Sequence, residues 1–480
     1  MQDTGRSRTK GYHTLRQPYP YAKYLSRPEP VYRTYLFLAQ LVAFLPIGTN
    51  QGIAHLLWTI VAGKLLTSRG AIFPALSEVG LNNEQCRRAE AALRGGKIKA
   101  IRLLERLALL IRRERKAGCL TIGKWHPFLI DWVGFYRPHL KGCVSRHFAS
   151  VAGKTLPAIE LGMMARCLVV GRRRIPVLCG LVREGSTPAL LRAARGMMQK
   201  TEVLIADRQV KIKHIEAENI SRFVIRGAID FTAREKEVPK TTGRGRKPSQ
   251  GRVVRPLART YKDNVIAATA ANREESFVHQ GRTLTALWFD NLVMPGGSLC
   301  FHCVVIRDPK YKNPWLLLTD LQESAENLFE LYRSRWKIEQ LPQTGKQIAQ
   351  SCLSNFRILG GHRSFVHADE SRYRLPELCL LAASISLYLS ATSKAIATGF
   401  WDKHPKPTPG RFRRALSNAS LPDIGEITDE LRVLPDFSGR VNKMLGRIRV
   451  KRSVFEHLPV GVMAHRRQKK RNEKPSLTGN

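Results

Sequence analysis

Apolar residues recur at helical spacing in the first part of the chain and at strand spacing in its middle. Between Lys97 and Ala117 the apolar positions Ala100, Leu103, Leu104, Leu107, Leu110 and Ile111 make one stripe. Arg102, Arg106, Arg112, Arg113 and Arg115 lie opposite it. The spacing predicts an amphipathic helix with Gly118 as its stop. Asn82 and Gln85 have the spacing of a capping box and open a helix over Asn83 to Leu93. Residues 31–118 therefore read as helical. Gly80, between Leu76 and Leu93, allows a helix-turn-helix, a pattern that packed helix pairs also give.

From residue 125 the period changes. His126 to Arg137, Thr155 to Val170 and Arg174 to Val182 read as three strands. Ser186 and Thr187 cap a helix that begins with Pro188 and runs to about Lys200. Glu202 to Ala206 is a short apolar strand that ends at Asp207. Strand, strand, strand, helix, strand implies an α/β fold, a mixed sheet with helices packed against it. Residues 231–312 read as a β-rich insertion that opens with a glycine-rich basic loop, Gly243 to Arg252. The regular pattern returns with the strand Pro314 to Thr319, a helix from Ser324 to about Gln340, and a buried helix from Leu375 to Ala397. Pro405 to Pro409 reads as a linker, and the last fifteen residues, with Arg466, Arg467, Lys469, Lys470 and Arg471, as a solvated tail.

Charge narrows the function. The 480 residues carry 80 Lys and Arg against 38 Asp and Glu, a formal net charge of +42. A fold needs no such excess; a polyanion partner explains it, because each phosphate contact releases a counterion. A polyanion is therefore the expected partner, and a reducing cytoplasm the expected setting. The expected layout is a basic arm and helical domain over 1–120, suited to DNA binding, an α/β core over 121–230 and 313–400, the insertion over 231–312, and a basic extension over 401–480. Arg244 and Arg246, with Gly245 between them, have the form of a minor-groove hook. Membrane insertion is not expected: the apolar run Tyr35 to Gly48 is too short and holds Pro46, and the first thirty residues lack an apolar stretch. The nine cysteines are scattered and read as reduced thiols. Cys300 and Cys303 lack the second pair that a zinc site needs, and their segment, Ser298 to Ile306, reads as a buried strand.

The segment with most chemistry is Leu331 to Lys346, LYRSRWKIEQLPQTGK. Tyr332, Arg335, Glu339 and Lys346 are spaced 3, 4 and 7, one stripe on a helix. Alone, Arg335 and Glu339 are an ordinary helical ion pair. Pro342 lies inside this segment and removes a helical hydrogen bond, so the helix is expected to kink or end there and to carry Lys346 off the stripe.

The spacing Y-x2-R-x3-E-x6-K resembles the signature of a large branch of bacterial cut-and-paste insertion-sequence transposases with a DDE catalytic site. Trp336 after the arginine, the strand Trp315 to Thr319 before the helix, and VLIADR around Asp207 extend the likeness, and LIDWVG around Asp131 follows it more loosely. The resemblance covers roughly residues 120–400. It implies an RNase H-like mixed sheet in which Asp131, Asp207 and Glu339 converge on two Mg²⁺ or Mn²⁺ ions. Hard cations prefer carboxylate oxygen, and two of them generate a nucleophilic oxygen while neutralising the leaving one. Arg335, Lys346 and Tyr332 would hold phosphates. Trp336 would stack on an unpaired base or sit in the core. Glu160 on the second strand is another acid within the same region. His362, His367, Asp369 and Glu370 form a second polar cluster that reads as a loop. The implied activity is cleavage of double-stranded DNA at terminal inverted repeats and strand transfer into target DNA by a nucleoid-associated cytoplasmic homodimer. The rivals are a dead copy that binds DNA as a repressor, and a nuclease of the same fold that never joins ends.

Overall fold

The computed structural model describes residues 29–421, apart from residues 47, 69, 97, 137–144, 150–151, 184, 240–247, 262–263, 346–347, 349–370, 398–400 and 420. These residues belong to one compact unit, Met1–Leu421, and the second unit, Pro422–Asn480, falls outside them.

The N-terminal part is a helical layer: α1 (Glu29–Val42), α2 (Thr49–Val61), α3 (Lys64–Thr67), α4 (Ile72–Glu78), α5 (Asn83–Gly95) and α6 (Ala100–Glu114). The capping box at α5 is formed. Gln85 N–H donates to Asn82 Oδ1 at 3.0 Å, and Asn82 N–H donates to Gln85 Oε1 at 2.9 Å. Gly80 makes the turn between α4 and α5 with φ of 90°. In α6, Leu103, Leu104, Leu107, Leu110 and Ile111 are buried along the expected stripe. Each such side chain contributes roughly 1.5–3 kcal/mol, an upper bound because unfolded chains already bury some surface. The stop differs from expectation. Arg115 takes the left-handed conformation, φ 52°, and ends the helix before Gly118. Gly118 instead opens a two-residue strand, Gly118–Cys119.

The centre is a large mixed sheet. Its first five main strands are β1 (His126–Tyr136), β2 (Lys154–Val170), β3 (Arg173–Arg183), β4 (Glu202–Ala206) and β5 (Phe223–Arg226). Across the sheet they run β3, β2, β1, β4, β5. β2 runs antiparallel to both of its neighbours, β1 and β3, while β4 lies parallel to β1 and β5 parallel to β4. The parallel steps need crossovers, supplied by α7 (Thr187–Met197) and α8 (Ile212–Ala217). Ser186 caps α7 by accepting from the Ala189 N–H, and Pro188 occupies its first turn.

The strands of the insertion do not form a separate layer. β6 (Arg273–His279), β7 (Arg282–Val293) and β8 (Phe301–Arg307) pair in succession, and β8 pairs with β9 (Trp315–Thr319), which pairs antiparallel with β5. The insertion thus continues the central sheet.

Strand alternation gives β1 two different faces. Phe128, Ile130 and Trp132 join Leu190, Leu204, Phe223, Ile225, Leu316 and Leu318 in the main core under α7 and α8. Asp131 projects from the opposite face. That face is covered by α9 (Ala325–Arg333), whose Phe329 stacks on Trp315 of β9 with ring centroids 4.8 Å apart.

Two further helices close the unit, α10 (Ser371–Thr392) and α11 (Pro409–Ser417). The expected linker Pro405 to Pro409 therefore runs directly into a helix, capped by Thr408. α10 starts four residues before the expected Leu375 and stops before Ala397. It is long and apolar enough to cross a membrane, but 89% of that span is buried inside the protein. Ser384 Oγ accepts from Leu178 N–H of β3 at 3.0 Å, and Arg183 of β3 pairs with Glu377 at 2.7 Å. On its other side Arg374 donates to the carbonyls of Leu93 and Arg94, and Tyr388 donates to Glu114 at 2.6 Å.

Candidate active site

The parallel register of β1 and β4 pairs Phe128 with Leu204 and Leu129 with Ile205. Two residues further along both chains come Asp131 and Asp207, the latter just past the end of β4. The two acids, 76 positions apart, are thus brought together at neighbouring strands. Asp207 closes a local turn, its Oδ1 accepting from Gln209 N–H at 3.0 Å. Asp131 Oδ1 accepts from its neighbour Trp132 N–H at 2.8 Å.

The third acid arrives from the segment after β9. Ser324 caps α9 by accepting from Asn327 N–H at 3.2 Å. The expected single helix to Gln340 is not found. The chain tightens into a 3-10 turn over Ser334–Lys337, turns at Ile338 and Glu339, and becomes helical again over residues 340–345. Pro342 supplies the reason. It has no N–H for the Ile338 carbonyl, and its ring crowds that carbonyl. Leu341 N–H takes the carbonyl instead, at 3.0 Å, in the tighter 3-10 pattern, while Gln343 N–H still reaches Glu339 O at 3.2 Å. The irregularity begins at Ser334, eight residues ahead of the proline, where the sequence alone suggested a kink at the proline itself.

Arg335 ties the acids together. Its Nη2 donates to Glu339 Oε1 at 2.7 Å, and its Nη1 lies 3.5 Å from Asp131 Oδ2. Burial pushes the Asp131 carboxyl up to about 6. Arg335 and the Trp132 N–H oppose the rise, while Asp207 and Glu339 add to it. The negative charge of all three acids is therefore felt at one point. Burial works against the charge on Arg335, but Tyr332, Asp131, Glu339 and Asp207 outweigh it and hold the guanidinium protonated.

Tyr332 is only 2% exposed, its ring 5.5 Å from Trp315. Its hydroxyl meets Arg226 at the end of β5, and burial raises its pKa. Arg226 also lies over the Trp315 ring at 5.8 Å. The sequence reading missed Arg226; a cation ending the strand next to the Asp207 strand was the available signal. Trp336 touches Trp315 edge-on at 5.1 Å yet stays 39% exposed, so it is not a core tryptophan.

Lys346, Arg244 and Arg246 lie outside the described residues, as do His362, His367, Asp369 and Glu370. Glu160 is engaged elsewhere, 2.8 Å from His147. Cys303 is buried in β8 and its thiol pKa is pushed well up by burial, and Cys86, Cys119, Cys167, Cys179 and Cys300 are likewise free thiols. Among the described residues no group of three or more His, Cys, Asp or Glu is arranged to hold a metal ion. The Arg335 guanidinium, bonded to Asp131 and Glu339, is the cation that these acids face here. No family model and no curated protein matches the sequence.

Proposed function

We propose that the chain is a DNA transposase of the DDE class, with Asp131, Asp207 and Glu339 as its acids and an RNase H-like core. The observation that carries this reading is the convergence of three acids, far apart in sequence, around one arginine. It is joined by a strand order that sets two of them on adjacent parallel strands. An oxygen-only donor set suits Mg²⁺ or Mn²⁺. The same carboxylates already accept one cation, the Arg335 guanidinium, which supports their fitness for another. Asp131, Asp207 and Glu339 would hold two such ions, which supply Lewis acidity and charge neutralisation at the phosphate when bound.

The chain's own residues would do the positioning. Arg335, paired with the acids, and Arg226, bonded to the Tyr332 hydroxyl, would bind phosphate oxygens at the transposon end. The exposed Trp336 ring, braced by Trp315, would stack on an unpaired base. Water attacks the phosphorus and the P–O3′ bond breaks, leaving a 3′-hydroxyl on the element. That hydroxyl then attacks a target phosphate and displaces a target 3′-hydroxyl. Two ends joined in one complex call for two protomers.

The test is a plasmid that carries the gene with its flanking DNA, incubated with purified protein and Mg²⁺ or Mn²⁺. Nicks at one defined end and covalent end-to-target products are expected. Asp207→Ala and Glu339→Ala should abolish both with unchanged thermal melting, and full activity in either variant would refute the assignment. One observation favours a second reading, a DNA-binding protein that cuts nothing: the described acids form no chelating group. Steep salt-dependent binding to the same ends, without nicks in either metal, would establish it.

A further inference from the structure

The segment that carries Tyr332, Arg335 and Glu339 has a second polar face. Arg333, Lys337, Gln340 and Thr344 follow at spacings of 4, 3 and 4 and line a cleft of about 850 Å³. The opposite wall is the hairpin between β2 and β3. Val170 pairs with Arg173, which leaves a two-residue loop of Gly171 and Arg172. Gly171 adopts the positive φ, 57°, that the first position of such a loop demands. The tight turn aims three successive arginines, Arg172, Arg173 and Arg174, at the cleft.

The charges in the cleft do not balance. Among the described residues, Arg172, Arg173, Arg174, Arg333 and Lys337 line it against only Glu326 and Glu330. Glu330 is already taken: Arg174 reaches it at 3.0 Å, His279 at 3.3 Å, and Arg333 bonds it as well. Glu330 thus fixes two arginines in place without cancelling the rest. Arg172 and Lys337 have no partner among the described residues. Two unpaired cations at the two walls, with fixed cations between them, form a track rather than a point site.

We infer that this cleft holds the phosphate backbone of a DNA strand, at a contact separate from the acid cluster and on the opposite face of the same segment. The inference rests on the reading above that the partner is DNA. Charge complementarity selects the occupant. The rest of the lining supplies amide and hydroxyl groups, Gln343, Ser390 and Thr408 among them, which bond phosphate oxygens as readily as the cations do. With DNA on both faces, Arg335 would grip the strand at the acids while Arg172 and Lys337 hold the flank.

The test measures binding to a labelled DNA duplex by fluorescence anisotropy, with the full chain and a chelator present so that cleavage plays no part. Arg172→Glu with Lys337→Glu should weaken binding about tenfold or more and lower the slope of log affinity against log salt by roughly two, the value for two lost phosphate contacts. Lys200→Glu with Lys213→Glu, two exposed lysines elsewhere, makes the same change in net charge and should have a much smaller effect. Equal losses in the two pairs, or an unchanged slope in the cleft pair, would overturn the inference. So would displacement of DNA by poly-glutamate that depends on Arg172 and Lys337 while DNA affinity does not. If charge reversal unfolds the chain, Arg172→Gln with Lys337→Gln should still reduce the slope by the same amount. A protein that loses binding as predicted but never cuts keeps the cleft and loses the enzymatic reading. One that cuts, with binding indifferent to these residues, does the reverse.

Discussion

His55 in α2 and Asp131 in β1 are both withdrawn from water, and their surroundings treat them in opposite ways. His55 is 1% exposed, and neither ring nitrogen has a partner among the described residues. Burial, with Arg88 nearby, lowers its pKa to about 4, so it stays neutral. The helical layer thus accepts a polar ring by keeping it uncharged. Asp131 is pushed up to about 6 by burial and by two neighbouring acids, yet Arg335 and a backbone N–H are set beside it to keep the charged form within reach. The layer is built for packing. The sheet end keeps a costly charge, and groups with perturbed protonation in a shared site point to function more than to stability.

Substitutions should separate the two regions, and the largest effect is expected at the sheet end. If the proposed function holds, Glu339→Ala should lower the cleavage rate about a thousandfold, equivalent to roughly 4 kcal/mol, because it removes one of the three acids from the cluster. Its melting temperature should stay near that of the parent, since Glu339 is partly exposed. Leu107→Ala in α6 should do the opposite. A drop of about 2–5 kcal/mol in unfolding free energy is expected from the cavity, with cleavage per folded molecule unchanged. Calorimetry and a nicking assay on both variants decide whether stability and activity are divided in this way.

The pH response should differ in sign. Folding depresses the His55 pKa from near 6.5 to about 4. Its contribution is therefore full above pH 6.5 and lost as pH falls towards 4. Folding raises the Asp131 pKa from near 3.8 to about 6. Its contribution is full below pH 3.8 and lost as pH rises through 6. Each shift corresponds to about 3 kcal/mol. Denaturant unfolding across pH 4–7 in chelator should show His55→Leu less sensitive to acid than the parent. Asp131→Asn should gain stability over the parent as pH rises. Parallel curves for parent and variants would break the contrast. The smallest expected effect is at Asn82→Ala, where loss of the cap should cost about 1 kcal/mol by thermal melting without any change in cutting.

Local signals carried most of the element boundaries. Glu202 to Ala206 is the predicted strand residue for residue, and the Asn82 capping box and the buried stripe of α6 stand where spacing put them. Propensity and period are properties of a short window, so they survive without an alignment. Three features were not legible. Strand order is non-local, so nothing in residues 231–312 announced that β7 and β8 would extend the central sheet. The stop of α6 fell to Arg115, a residue type that rarely takes positive φ, because that turn comes three residues before the glycine. Pro342 signalled a break but not its reach back to Ser334. At the site, Asp131 was legible as an acid within a strand and Asp207 as one at a strand end, whereas Arg226 was not, because its role depends on Tyr332 arriving from a segment more than a hundred residues later.

The burial of α10 has a practical corollary for anyone dissecting this protein. The helix is clasped between β3 and the N-terminal helices, with Arg374, Glu377, Ser384 and Tyr388 bonded to partners on both sides. A fragment starting near residue 120 would leave one flank of an apolar rod bare to solvent, an invitation to clump or to bind detergent. The compact unit is Met1–Leu421, and shorter pieces cut at the helix-to-strand boundary should come out insoluble.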